Sequence, residues 1–165
     1  MKNKAVYPIL VLLLMFASFF SGGYLERQKN KTIPITPTIS ISKKLTVTEV
    51  TDGDTLKLST GQTFRLYGVN TPEVKEPLFE EAKVFTQNMV LNKEVTFEQE
   101  ANYQEDKFGR TLGYIFVDGK NLNVELVKVG WAKVVLYEKR AKIKYQDELL
   151  QAENTAREKK LGVWK

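Results

Sequence analysis

The chain has 165 residues, 42% of them hydrophobic, with 9 Phe, 7 Tyr and 2 Trp. That is enough for one domain plus a targeting segment and a linker. Cysteine and histidine are both absent, which excludes a disulfide framework, thiolate or imidazole metal sites, thiol nucleophiles and every histidine-based mechanism. The net charge of +5 resides outside the domain. Residues 1–43 carry six basic and one acidic side chain, whereas residues 44–165 carry nineteen of each.

Lys2 and Lys4 precede an uncharged run from Ala5 to Gly23, whose most apolar part, Ile9 to Phe20, has the length of a signal-peptide core. The run lacks a polar face, so residues 1–23 are expected to form an export helix. Two outcomes stay open: cleavage, which is favoured, or retention as a membrane anchor. Residues 24–43 hold Pro34 and Pro37 among Thr and Ser and read as an extended tether.

The domain is expected over residues 44–165. Leu45, Val47 and Glu49 alternate before the turn Thr51-Asp52-Gly53-Asp54, and Leu56 and Leu58 follow it, which predicts a hairpin. A second turn, Thr60-Gly61-Gln62, leads into a strand through Phe64, Leu66 and Val69. Leu78 to Leu91 reads as a helix with Leu78, Ala82, Phe85 and Met89 on one face. Val95 and Phe97 mark a fourth strand, and residues 110–117 a fifth, closed by Asp118-Gly119. A short helix (Leu122, Leu126, Val129) stops at Gly130, and an apolar stretch runs from Trp131 to Tyr137. The last helix carries Tyr145, Leu149, Ala152 and Ala156, and Leu161 and Trp164 pack back on the body. Five strands and three helices, one of them after the third strand, predict an α+β domain dominated by β, an OB-fold-like barrel.

Acidic and guanidinium groups concentrate in three segments. Asp52-Gly53-Asp54-Thr55 is either a plain hairpin turn or a set of oxygen ligands for a hard cation. Arg65 interrupts an apolar strand, where a charge is costly unless it is paired or faces a site. Asn70-Thr71-Pro72-Glu73 gathers an amide, a hydroxyl and a carboxylate in a turn stiffened by proline. Asp106-Lys107-Phe108-Gly109-Arg110 joins two strands and ends on a second guanidinium. Together, two guanidiniums, a cation site and an isolated carboxylate are the parts that phosphodiester hydrolysis without histidine needs. A basic cluster, Lys133, Lys139, Arg140, Lys142 and Lys144, reads either as a solvated face or as a phosphate track.

The same segments resemble the staphylococcal (micrococcal) nuclease family, in order and spacing, across Lys44 to Lys165. Phe64-Arg65-Leu66, Thr71-Pro72-Glu73, Ala132-Lys133-Val134 and Lys160-Leu161-Gly162-Val163-Trp164 extend the match. The resemblance implies a calcium-dependent nuclease acting on DNA and RNA, by endo- and exonucleolytic cleavage to 3′-phosphate ends. It implies that Asp54 and the Thr71 carbonyl bind Ca²⁺ and that Asp52 supports that shell. Glu73 would orient or deprotonate water, and Arg65 and Arg110 would hold the scissile phosphate. Lys107 and Phe108 would contact the terminal nucleotide. Phe108 stands where the family has tyrosine, and Asn70 where it has a second metal-binding aspartate. An amide oxygen can ligate calcium but contributes no charge, so a weaker site is expected. The competing expectation is a non-catalytic binding module on the same barrel. A monomer is expected, with membrane contact only through an uncleaved N-terminal segment.

Overall fold

The structure, a computed structural model, describes residues 44–137 and 139–165. The expected apolar helix, tether and membrane contact fall in residues 1–43, outside the described residues. Strands β1 (Lys44–Val50) and β2 (Thr55–Leu58) form the expected antiparallel hairpin, pairing Val47 with Leu58 and Val50 with Leu56. A register shift between Val47 and Glu49 marks a bulge, and such a bulge bends the strand and increases its twist. The first half of β1 pairs instead with β5 (Glu94–Gln99), joining Leu45 to Val95.

β3 (Thr63–Leu66) runs antiparallel to β2, and β6 (Thr111–Val117) antiparallel to β5. Parallel pairing of β3 with β6, Phe64 opposite Thr111 and Leu66 opposite Gly113, closes the ring β1-β2-β3-β6-β5. The result is the expected OB-like barrel. Closure removes the strand edges that a small open sheet would expose.

Three helices cover the barrel: α1 (Phe79–Val90), α2 (Leu122–Lys128) and α3 (Gln146–Glu158). Val47, Leu56, Leu66, Val90, Ile115, Leu122, Leu126 and Leu149 are at most 1% exposed, so strands and helices share one core. Short strands β7 (Lys120–Asn121), β4 (Val69–Asn70) and β8 (Lys133–Val134), with β4 paired to β8, and a 3-10 turn at Gly162–Trp164 complete the elements of the described residues.

Two sequence expectations need correction. The third strand does not continue through Val69. Gly68 turns the backbone into the left-handed region (φ 77°), and Val69 then pairs with Val134. A side chain at 68 would also bring its Cβ within 2.6 Å of Ile143 Cδ1. The first helix begins at Phe79 because Leu78 itself adopts φ 70°. Its inward face is Phe79, Ala82, Thr86 and Val90, with Phe85 and Met89 only half-buried. Hydropathy missed this rotation because Thr86 is buried for a polar reason: its hydroxyl donates to the Gly53 carbonyl at 2.6 Å. The final helix does turn Leu149, Ala152 and Ala156 inward.

Asn123 ties α2 to the barrel. Fully buried, it donates to the Tyr67 carbonyl (2.9 Å) and the Gly113 carbonyl (3.2 Å) and accepts from the Ile115 N–H (3.4 Å). The Gly113 carbonyl also accepts from the Tyr67 N–H at 2.8 Å, so loss of the side chain strands chiefly the Tyr67 carbonyl, and a buried polar group left unpaired costs about 1–3 kcal/mol. Asn123→Leu should therefore lower stability by about 3 kcal/mol in urea unfolding; a loss under about 0.5 kcal/mol would show the bonds to be dispensable.

Candidate active site

Strand register gathers the charged residues. Thr55, the first residue of β2, lies opposite Arg65 on β3, and Arg65 lies beside Leu112 on β6. Arg110 immediately precedes β6. Three adjacent strands thus deliver Asp54, Arg65 and Arg110 to one mouth of the barrel, although 45 residues separate the two arginines in sequence.

Asp54 is 4% exposed, and its carboxylate forms an ion pair with the Arg65 guanidinium. It also accepts from the Thr71 N–H at 2.8 Å and the Thr55 hydroxyl at 3.3 Å. Burial pushes its carboxyl up to about 7, against the pull of Arg65 and with help from repulsion by Asp52. Asp52 accepts from the Asp54 N–H (3.1 Å) and so shapes the turn. Gly53 between them is required by space: a Cβ there would lie 2.7 Å from the Thr71 side chain.

Arg65 also donates to the Asn70 side-chain oxygen at 2.8 Å, and the Asn70 amide donates to the Thr71 carbonyl at 3.2 Å. Asp54, Arg65, Asn70 and Thr71 therefore form one closed hydrogen-bonded circuit. Arg110 joins it through the Thr55 hydroxyl at 3.5 Å.

The Asp106–Arg110 loop is built around its aspartate. Asp106 accepts from the N–H groups of Phe108 (2.9 Å) and Arg110 (3.1 Å) and pairs with the Arg110 guanidinium at 2.7 Å. Partial burial raises its carboxyl, but these donors outweigh that and hold it below the usual range. The guanidinium is thereby aimed, and Phe108 is left 70% exposed with the Lys107 and Arg110 cations near its ring.

A cavity of about 410 Å³ opens beside this network. Arg65, Asn70, Lys107, Phe108 and Arg110 all line it, as do Tyr67, Tyr103, Tyr137 and Arg140. Glu73 is different. It sits exposed on the turn after Thr71, its N–H donates to the Glu76 carboxylate (2.8 Å), and its side chain makes no hydrogen bond or ion pair to the network. Sequence reading did not single out the three tyrosines, and polar tips on rings dispersed over the chain gave no periodic signal. Of the basic cluster, Arg140 reaches the cavity. Lys142 pairs with Asp147 (2.6 Å), Lys144 pairs with Glu98, and Lys133 lies over the Trp164 ring.

The oxygens of Asp54, Asn70 and Thr71 suit a hard cation in kind, since all are carboxylate, amide or carbonyl. The buried Asp54 carboxylate, raised by desolvation, is the group a cation would relieve. Charge is sparse, however: among the described residues no group of three or more acidic side chains gathers around one point.

A closed five-stranded barrel that turns guanidinium groups and a bare aromatic ring to one cavity is an OB-type domain with an anion-receptive mouth. This chain belongs to the staphylococcal nuclease family: the family model described as "Staphylococcal nuclease homologue" matches residues 63–165. Over 127 residues it is 35% identical to a protein named Thermonuclease from Staphylococcus hyicus, covering 72% of this chain and 73% of that one. It is 33% identical over 141 residues to Endonuclease YncB of Bacillus subtilis (strain 168), covering 78% of this chain and 66% of the relative. A third relative, the SPbeta prophage-derived endonuclease YokF of the same organism, is 32% identical over 129 residues, covering 73% of this chain but only 43% of its own length.

The buried pair makes a separate prediction. Removing one partner of such a pair costs about 3–5 kcal/mol, whereas removing both can be far milder. Arg65→Met should lose that amount in urea unfolding, and adding Asp54→Asn should recover at least about 1 kcal/mol of it. Strictly additive losses would show that the two groups do not stabilise each other.

Proposed function

We propose that this chain is a calcium-dependent nuclease that hydrolyses phosphodiester bonds of DNA and RNA with little regard for the sugar, leaving 3′-phosphate ends. The observation that carries this reading is the convergence of Arg65 and Arg110 on one cavity beside the buried Asp54. Two guanidiniums aimed at one point can grip the nonbridging oxygens of a phosphate and stabilise the charge that grows on them in the transition state. The scissile phosphate sits at that pair. Glu73, two residues beyond Thr71, takes the proton of the attacking water, and its exposure leaves the carboxylate free to do so. Lys107 and Phe108 hold the terminal nucleotide, the ring by stacking and the amine by charge.

Asp54, Asn70 and the Thr71 carbonyl would hold Ca²⁺, with Asp52 steadying their turn. Bound there, the ion supplies Lewis-acid polarisation of a phosphoryl oxygen. The apolar run within residues 1–23 argues for export, as a secreted monomer or one tethered to the outer face of the membrane.

A second reading, a non-catalytic nucleic-acid-binding module, is favoured by one observation: Arg65 is already engaged by both Asp54 and Asn70. Hydrolysis separates the two. With saturating calcium the purified chain should degrade plasmid DNA and RNA, and chelator should stop it. Arg110→Ala and Glu73→Gln should each slow cleavage by about 10²–10³-fold. An inert wild type that still binds single strands would establish the module instead.

Asn70→Asp restores a carboxylate to the oxygen set and should tighten Ca²⁺ binding measured by calorimetry, by at least about fivefold, since ligand charge helps set affinity. An unchanged isotherm would remove Asn70 from the ligands.

A further inference from the structure

The cavity beside the arginine pair does not end at the phosphate site. Its far wall is made by Tyr67, Tyr103, Tyr137 and Arg140, and a second cavity of about 270 Å³ continues beyond them, sharing Tyr67, Val135, Tyr137 and Arg140 with the first. Arg140 stands at the junction. Its guanidinium lies over the Tyr103 ring at 4.5 Å and the Tyr137 ring at 4.3 Å, and it donates to the Tyr67 hydroxyl at 3.4 Å. Tyr67 and Tyr103 themselves stack, with ring centroids 5.8 Å apart.

This arrangement differs from that of the neighbouring cations. Lys142 and Lys144 are paired with carboxylates, whereas among the described residues Arg140 meets rings and a hydroxyl rather than an acid. The contacts with the two rings use none of the guanidinium's N–H groups and the Tyr67 hydroxyl takes one, so further N–H donors remain for an anion. Tyr137 is 56% exposed and offers its own face to a partner. A planar cation with free N–H groups next to an exposed ring is the pairing that binds one backbone phosphate and one unstacked base.

We infer that Arg140 and Tyr137 form a second nucleotide subsite, which takes the phosphate and base next to those held at Arg65, Arg110 and Phe108. The occupant is a single strand of nucleic acid whose path runs from the first cavity over Arg140 into the second. This rests on the reading that the arginine pair receives a phosphate. It adds that affinity grows with length past the first nucleotide, and that the increment belongs to Arg140.

Binding of fluorescein-labelled oligothymidylates of two, four and eight nucleotides, followed by fluorescence anisotropy in calcium, tests it. Every chain carries Glu73→Gln, so that the probe survives if the chain cleaves. Affinity should rise from two to four nucleotides, and Arg140→Ala should abolish most of that rise, weakening the four- and eight-mers roughly tenfold while shifting the two-mer much less. The same variant should flatten the dependence of log affinity on log salt by about 0.7, the contribution of one single-strand phosphate. Arg140→Lys should restore the salt slope but not the full affinity, since it keeps charge and loses the plane. Lys120→Ala, which removes an exposed lysine at the start of β7, is the control for bulk charge.

Equal affinities for Arg140→Ala and its parent would overturn the subsite. So would equal weakening of two- and eight-mers, which would assign Arg140 to the first phosphate, or an equal effect of Lys120→Ala. A flat length dependence in the parent overturns it as well. Failure of the nuclease reading shows elsewhere, as an absence of cleavage by the wild type, and leaves these affinities to stand or fall separately.

Discussion

A carboxylate and a guanidinium held together out of water organise this domain. Asp54 has lost nearly all its solvent, and burial alone would strip it of its charge near neutrality. Arg65 offsets part of that desolvation, and the Thr71 N–H and Thr55 hydroxyl complete the shell of the carboxylate. Each of those donors comes from a different stretch of chain, so satisfying one buried charge pins the β1–β2 turn, strand β3 and the segment after β4 together. Gly53 is the spatial condition for this, because any side chain there would collide with Thr71.

The second arginine obeys the same logic nearer the solvent. Arg110 is steered by Asp106, which also ties down the loop backbone around Phe108. Each guanidinium therefore comes with a carboxylate that neutralises it in the free protein. A phosphate approaching the cavity meets groups already oriented, and orientation before the reaction is what makes such donors effective in a transition state. Asn70 shows the cost of that closure. Its amide accepts from Arg65 and donates to the Thr71 carbonyl, a double role that an ionised carboxylate could not fill.

Much of this was legible from local pattern. Alternating Leu45 and Val47, the Gly61 turn and the runs through Phe64 and Ile115 yield the strands, and a charge set within an apolar strand marked Arg65 as a site residue. Patterns of hydropathy misplace residues buried for polar reasons. Thr86 turned the face of α1 because its hydroxyl had a carbonyl to meet, and Asn123 lies in the core because it closes three backbone bonds. Leu78 was read as helical because nothing in its side chain announces a left-handed backbone.

The sequence by itself determined the barrel class and the residue types available for chemistry, since periodicity, turn residues and the absence of histidine and cysteine are local or compositional facts, and its short motifs carried the family resemblance. Tertiary structure alone decided who meets whom. The parallel β3–β6 pairing brings Arg65 and Arg110 to one mouth, Glu73 stays exposed on the turn after Thr71, and Arg140 differs from a run of similar cations because its guanidinium lies over two tyrosine rings. Such meetings depend on strand register and chain crossing over long separations, which no window of neighbouring residues encodes.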